Sequence, residues 1–324
     1  MRARLVLGLA VAAAWGGDGV LRDVGEQVQS GERVLGGRGA ELGEQLEHWG
    51  RLAAATYQRF EDWSQCSACQ HEDICNTELA AVWSTAVPAF SRGFVGIDHR
   101  RRQVAVVFRG TTHVIDAVTD AQAIQVPWPR DGAMVHAGFL LAYQAARPTI
   151  IAALDAAQHN ASLAGYSLHF IGHSLGAAQA TLAYMDFHQQ QQQARPQKGF
   201  PVRWQLATLG APRVGNTEFA RLLTQTVEPP DTDSVADENV LRVVHESDMV
   251  PHFPRGLLLL HYAHGGREIW ARDTNDTAAS ALTVCRLADD GRDDPACSAS
   301  ISPLQWSLVD HLVYPGMRLG IPKY

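Results

Sequence analysis

The chain has 324 residues, 46% hydrophobic and 19% charged, which supplies core enough for one large or two smaller globular domains and excludes a disordered chain. Its formal net charge of −7, from 27 Lys and Arg against 34 Asp and Glu, lacks the basic footprint that phosphate backbones require, so no nucleic-acid partner is expected.

Residues 1–17 place Arg2 and Arg4 before the apolar run Leu5–Trp15 and then small residues, the layout of a secretory signal peptide. That run is shorter than the ~20 residues a membrane span needs. No later stretch approaches that length, and the mature protein is expected to be extracellular and monomeric, without a transmembrane anchor. Residues 18–50 are rich in Gly, Glu and Arg around Gly36-Gly37-Arg38-Gly39 and read as a propeptide or loose N-terminal arm. Residues 51–324 then form a single domain.

Five cysteines suit an oxidising compartment. Cys66, Cys69 and Cys75 leave one thiol over, and spacing does not choose the pair; Cys285 and Cys297 bracket a polar loop, 286–296. Zinc at Cys66, Cys69, Cys75 and His71 is disfavoured, because no second Cys-x-x-Cys accompanies them. From Leu79 onward strand-like and helix-like patterns alternate, which predicts an α/β fold with a mostly parallel sheet. Gln103–Phe108 reads as a buried strand ending in Arg109-Gly110-Thr111-Thr112. Val135–Asp155 reads as a helix with Phe139, Leu140, Tyr143, Ile150, Ile151 and Leu154 roughly on one face. Tyr166–Ile171 is the next strand and Ala177–Phe187 a helix, followed by Gln189–Gln193 as a solvated linker. Trp204–Leu209 and Val240–Val244 are further strands, the first closing in Gly210-Ala211-Pro212-Arg213-Val214-Gly215-Asn216, the second in His245-Glu246-Ser247-Asp248. The sequons at Asn160 and Asn275 are glycan acceptors in a secreted chain.

Gly172-His173-Ser174-Leu175-Gly176 falls between the strand at 166–171 and the helix at 177–187. With 28 glycines in 324 residues, two glycines four apart occur by chance at about two places, so context must carry the motif. The context is that of a nucleophile elbow, in which a sharp strand-to-helix turn lifts a serine hydroxyl clear of the sheet. Ser174 is the candidate nucleophile. A serine needs a histidine to take its proton and a carboxylate to orient that histidine. In α/β-hydrolases the acid follows a later strand and the histidine lies near the C-terminus. Asp248 and His311 stand at those places, while His245, His252, His261 and His264 also lie downstream of Ser174. Asp310 is read as a loop-anchoring carboxylate and His173 as a packing residue. The oxyanion donors would be the backbone N–H groups of Leu175 and Thr111, the latter with its hydroxyl.

Six ordered motifs resemble the class 3 lipases, the fungal-type extracellular triacylglycerol lipases: Val107–Thr111, Val135–Phe139, Gly172–Gly176, Thr208–Asn216, Glu246–Pro251 and Asp310-His311. The resemblance covers roughly residues 55–316 and implies an α/β-hydrolase fold, a triad of Ser174, Asp248 and His311, and an oxyanion hole at Thr111 and Leu175. It favours a Cys285–Cys297 bridge, and needs no cofactor and no metal. It also implies that His113–Ala121 is a short amphipathic lid helix, with Val114, Ile115 and Val118 apolar, that swings aside at a lipid–water interface. Asp120 matches a family position that holds the oxyanion residue once the lid is open. Ala117 stands where many relatives carry tryptophan, so the strength of interfacial activation does not carry over. The implied substrates are acylglycerols. A feruloyl-type or other soluble-ester esterase would share the fold and triad, and a non-catalytic lipid-binding relative would leave Ser174 unlabelled by an organophosphonate.

Overall fold

The computed structural model describes residues 39–319 apart from 60–62, 64–65, 67–68, 87–88, 112–123, 131, 194–199, 202, 228–237, 256–260, 273–281 and 287–291. The signal-peptide reading, residues 18–38 of the arm, the lid and the Asn275 sequon lie outside the described residues.

An eight-stranded sheet forms the middle layer. In chain order its strands are β1 (Glu78–Ser84), β2 (Arg92–Asp98), β3 (Gln103–Phe108), β6 (Ser167–His173), β7 (Trp204–Leu209), β8 (Val240–His245), β9 (Arg267–Ala271) and β10 (Leu282–Val284), which is also their spatial order. The short pair β4 (Gln125–Pro127) and β5 (Met134–His136) stands apart from it. β3, β6, β7, β8 and β9 run parallel, and the edge strands join antiparallel. Parallel strands are covered on both faces, so they read as continuous apolar runs rather than alternating ones. β3 shows why: Val104, Val106 and Phe108 enter one core, and Ala105 and Val107 the other. The first core is closed by α2 (Ala137–His159) and α3 (Leu175–Gln193), the second by α1 (Gly39–Ala55).

α1 corrects the reading of residues 18–50 as a loose arm. Its glycines disguise the helix, yet Leu42, Leu46, Trp49 and Leu52 follow helical spacing and are buried against the sheet. Gly50 is small for a reason: a Cβ there would lie 1.8 Å from the Pro315 carbonyl oxygen. The folded domain therefore begins at or before Gly39. The Gln189–Gln193 linker is also corrected, since glutamine is a good helix former and α3 continues through Gln193. The helix read from Val135 begins at Ala137, after β5, where His136 Nδ1 accepts from the Gly138 and Phe139 N–H groups and caps α2. α2 is also a helix long and apolar enough to cross a membrane, which corrects the expectation that no such stretch exists. It packs Phe139, Tyr143, Ile150 and Leu154 into the core, as a core helix does.

Registers bring the carboxyl ends of four parallel strands to one edge, with Phe108 opposite Gly172, His173 opposite Leu209, and Leu209 opposite Val243. Open α/β sheets place their ligand sites there. Two disulfides, Cys66–Cys69 and Cys285–Cys297, resolve the cysteine pairing, and Cys75 is a free thiol.

Candidate active site

β6 passes into α3 through one residue, Ser174, whose φ of 58° is in the left-handed region that non-glycine residues rarely enter. The flanking glycines permit this turn: a Cβ on Gly172 would lie 2.2 Å from the Gly176 oxygen, and one on Gly176 would lie 2.4 Å from the Phe108 oxygen. The Ser174 N–H is tied to Leu209 O at 2.9 Å. Strain of this kind is kept only where surrounding structure enforces it.

His311 ends α4 (Leu308–His311), which Ser307 caps, and Asp248 follows β8. Both are fully buried, with His311 Nδ1 2.8 Å from Asp248 Oδ2. Against a carboxylate the imidazole nitrogen donates, so in the neutral ring Nε2 keeps its lone pair. Ser174 Oγ and His311 Nε2 are both buried without a hydrogen-bond partner among the described residues. A free hydroxyl and a free imidazole lone pair are the two groups that proton transfer from a serine nucleophile would use. Burial pushes the Asp248 carboxyl up, but His311, Tyr314 and the Val250 N–H outweigh it and hold the acid below its usual range.

Three of the four rival histidines are engaged elsewhere. His245 Nδ1 donates to Asp310 O at 2.9 Å, His264 Nε2 to Pro251 O at 2.7 Å, and His252 stacks on Trp306 with ring centroids 4.5 Å apart. His173 bridges Tyr57 OH at 2.7 Å and His311 O at 2.9 Å, and so supports the backbone of His311 from inside the elbow. Asp310 anchors a loop, accepting from the Ser247 N–H at 3.2 Å. Thr111 and Leu175 line one open groove of about 410 Å³ together with Gly110, Arg109 and Phe90. Gly110 lets the Thr111 loop approach the elbow, for its Cβ would lie 2.8 Å from Ser174 Cβ. Val114, Ile115, Val118 and Asp120 lie outside the described residues.

Two contributors stand outside the site residues assigned from sequence. Tyr314, in β11 (Val313–Tyr314) of the hairpin completed by β12 (Met317–Arg318), accepts from the His245 N–H at 3.3 Å and donates to Asp248 Oδ2. Gly210, with φ 59°, leaves the space where Asp248, His311 and Tyr314 meet: its Cβ would lie 2.7 Å, 2.9 Å and 2.8 Å from their nearest atoms. Gly210→Ala should therefore cost about 1–3 kcal/mol by overpacking and displace His311, read as a fall in both Tm and esterase rate. An unchanged rate would refute the crowding.

A family model described as lipase (class 3) matches residues 105–257. A lipase of Rhizomucor miehei is 29% identical over 280 residues, covering 86% of this chain and 69% of that protein. The secreted mono- and diacylglycerol lipase A of Penicillium cyclopium is 30% identical over 250 residues, 74% of each chain. Among solved structures, a triacylglycerol lipase whose catalytic centre is described as a serine protease triad superposes with a TM-score of 0.68 at 28% identity, covering 86% of this chain and 95% of that one.

Proposed function

Since this chain belongs to the class 3 lipase family and is a carboxylic ester hydrolase, we propose that it is a secreted lipase cleaving acylglycerols, triacylglycerols above all, through an acyl-enzyme on Ser174. The observation that carries the reading is the buried His311–Asp248 contact, which leaves His311 Nε2 unpartnered in the same site as an unpartnered Ser174 Oγ. His311 takes the Ser174 proton as Oγ attacks the ester carbonyl. Negative charge then develops on the carbonyl oxygen, where the Leu175 and Thr111 N–H groups serve as donors. The imidazolium, stabilised by Asp248, protonates the departing glyceride alcohol. Water, deprotonated by the same histidine, releases the fatty acid and restores Ser174. Two disulfides support an extracellular setting, as do relatives named as secreted lipases.

Initial rates on a monomeric short-chain ester and on emulsified long-chain triglyceride test the substrate class. A rate that rises across the solubility limit and persists on the emulsion is expected. Turnover of the soluble ester without turnover of the emulsion would instead assign a soluble-ester esterase.

A further inference from the structure

Downstream of Asp248, four consecutive carbonyls are held from outside their own segment. His264 Nε2 donates to Pro251 O at 2.7 Å. Arg213 supplies the rest: Nη1 reaches His252 O at 2.6 Å and Pro254 O at 3.4 Å, and its backbone N–H reaches Phe253 O at 2.7 Å. Irregular backbone needs such partners when buried, but one arginine gripping three successive residues also fixes their path.

Arg213 is in turn held by Asp293, with Nη2 to Oδ2 at 2.9 Å. The other oxygen of Asp293 accepts from Arg242 at 3.2 Å, and Arg242 pairs with Glu268 at 2.9 Å. The Asp293 and Arg213 side chains are only 16% and 17% exposed, and those of Glu268 and Arg242 3% and 7%. Two acids and two bases balance, as a buried ionic cluster must. Burial pushes the Asp293 carboxyl up, while His264, Arg242 and Arg213 hold it well below its usual range.

Asp293 sits on the loop closed by Cys285–Cys297, whose described part is pinned by Asp294 to the Arg286 and Ala296 N–H groups and by Ser298 N–H to Glu268. The bridged loop thus delivers a carboxylate onto Arg213. From Arg213 the path to the triad is short. The held carbonyls end the turn Val250–His252, and the Val250 N–H donates to Asp248 Oδ1 at 2.8 Å.

We propose that Asp293 and Arg213 are a positioning pair for the catalytic acid: the disulfide-closed loop sets Asp293, Asp293 sets Arg213, and Arg213 fixes the turn that aims Asp248 at His311. The inference rests on the triad reading above. Neither residue touches substrate; both act through Asp248.

A double-mutant cycle tests this, with kcat expressed per Ser174 titrated to completion by an organophosphonate. Stoichiometric labelling of the unaltered enzyme, and its absence in Ser174→Ala, checks the triad reading separately. Asp293→Asn should lower kcat on a soluble short-chain ester about tenfold with KM unchanged, within the range for coupled residues of one ionic network. In an Asp248→Asn background the same change should cost less than about twofold, because the acid it serves is already gone. A purely structural role would lower the titratable fraction and Tm but not kcat per site, and that result overturns the proposal. So does an undiminished loss in the Asp248→Asn background. Where Asp293→Asn yields no folded protein, Arg213→Lys takes its place in the cycle. It keeps the charge against Asp293 but not the forked grip on the carbonyls, so the same two outcomes decide.

Discussion

Replacing Ser174 with alanine should lower ester hydrolysis by at least about 10⁴-fold while leaving Tm unchanged or slightly raised. The two halves of this expectation come from different observations. Activity falls because Oγ is the atom that would bond to the acyl group, and no other hydroxyl stands in the elbow. Stability holds because Oγ has no hydrogen-bond partner among the described residues, so its removal breaks no bond. Alanine and serine each carry a Cβ, so the strain at φ 58° stays the same. The remaining rate over water should then report the proposed Leu175 and Thr111 donors and substrate binding alone. Steady-state rates on a chromogenic ester beside a thermal melt check both halves. Full retained esterase activity would remove Ser174 from the mechanism.

The parts of the candidate site that follow from chain order are legible in the sequence. β3 and β7 occupy the residues read for them, because strands buried on both faces leave unbroken apolar runs closed by glycine-rich turns. The same logic places Ser174 after a strand, and strand order then points to Asp248 and His311. Tyr314 was not legible: its hydroxyl reaches Asp248 across the hairpin after His311, and one aromatic residue three positions on has no periodicity to mark it. The Arg213–Asp293 contact joins residues 80 apart through a loop whose inner part is polar, so pattern reading has nothing to follow. α1 was hidden differently. Its buried stripe is regular, but its three glycines, of which Gly50 lets it close on the hairpin at Pro315, lower the helical signal.

The enzyme should unfold cooperatively as pH falls from about 6.5 towards about 4. His136, His169, His173, His245, His252 and His264 are all buried, and burial is the main reason each resists protonation. His169 and His173 are pushed down to about 3 and His136 and His252 to about 4. His245 is lowered and His264 lies well below the usual value. In the unfolded chain each histidine titrates near 6.5. Between those limits the unfolded state binds protons that the folded state refuses, so stability is complete above the unfolded value and declines as pH falls below it. Each group costs about 1.4 kcal/mol per pH unit once its unfolded form is fully charged. Together His136, His169, His173 and His252 approach about 5 kcal/mol per unit near pH 5, against a total stability of about 5–15 kcal/mol. Asp248 and Asp293, held below their usual range, add a loss of the same sign at still lower pH. His173 agrees from geometry: with Nε2 donating to the His311 carbonyl, Nδ1 of the neutral ring accepts from Tyr57, and a charged ring cannot accept. Because His173 contacts the backbone of His311, activity and tertiary structure should be lost together. Near-UV circular dichroism and ester hydrolysis on the same samples from pH 7 to 4 test this, with a shared midpoint expected between about pH 4 and 5.5. A native near-UV spectrum at pH 4 would mean that the folded protein accepts these protons after all.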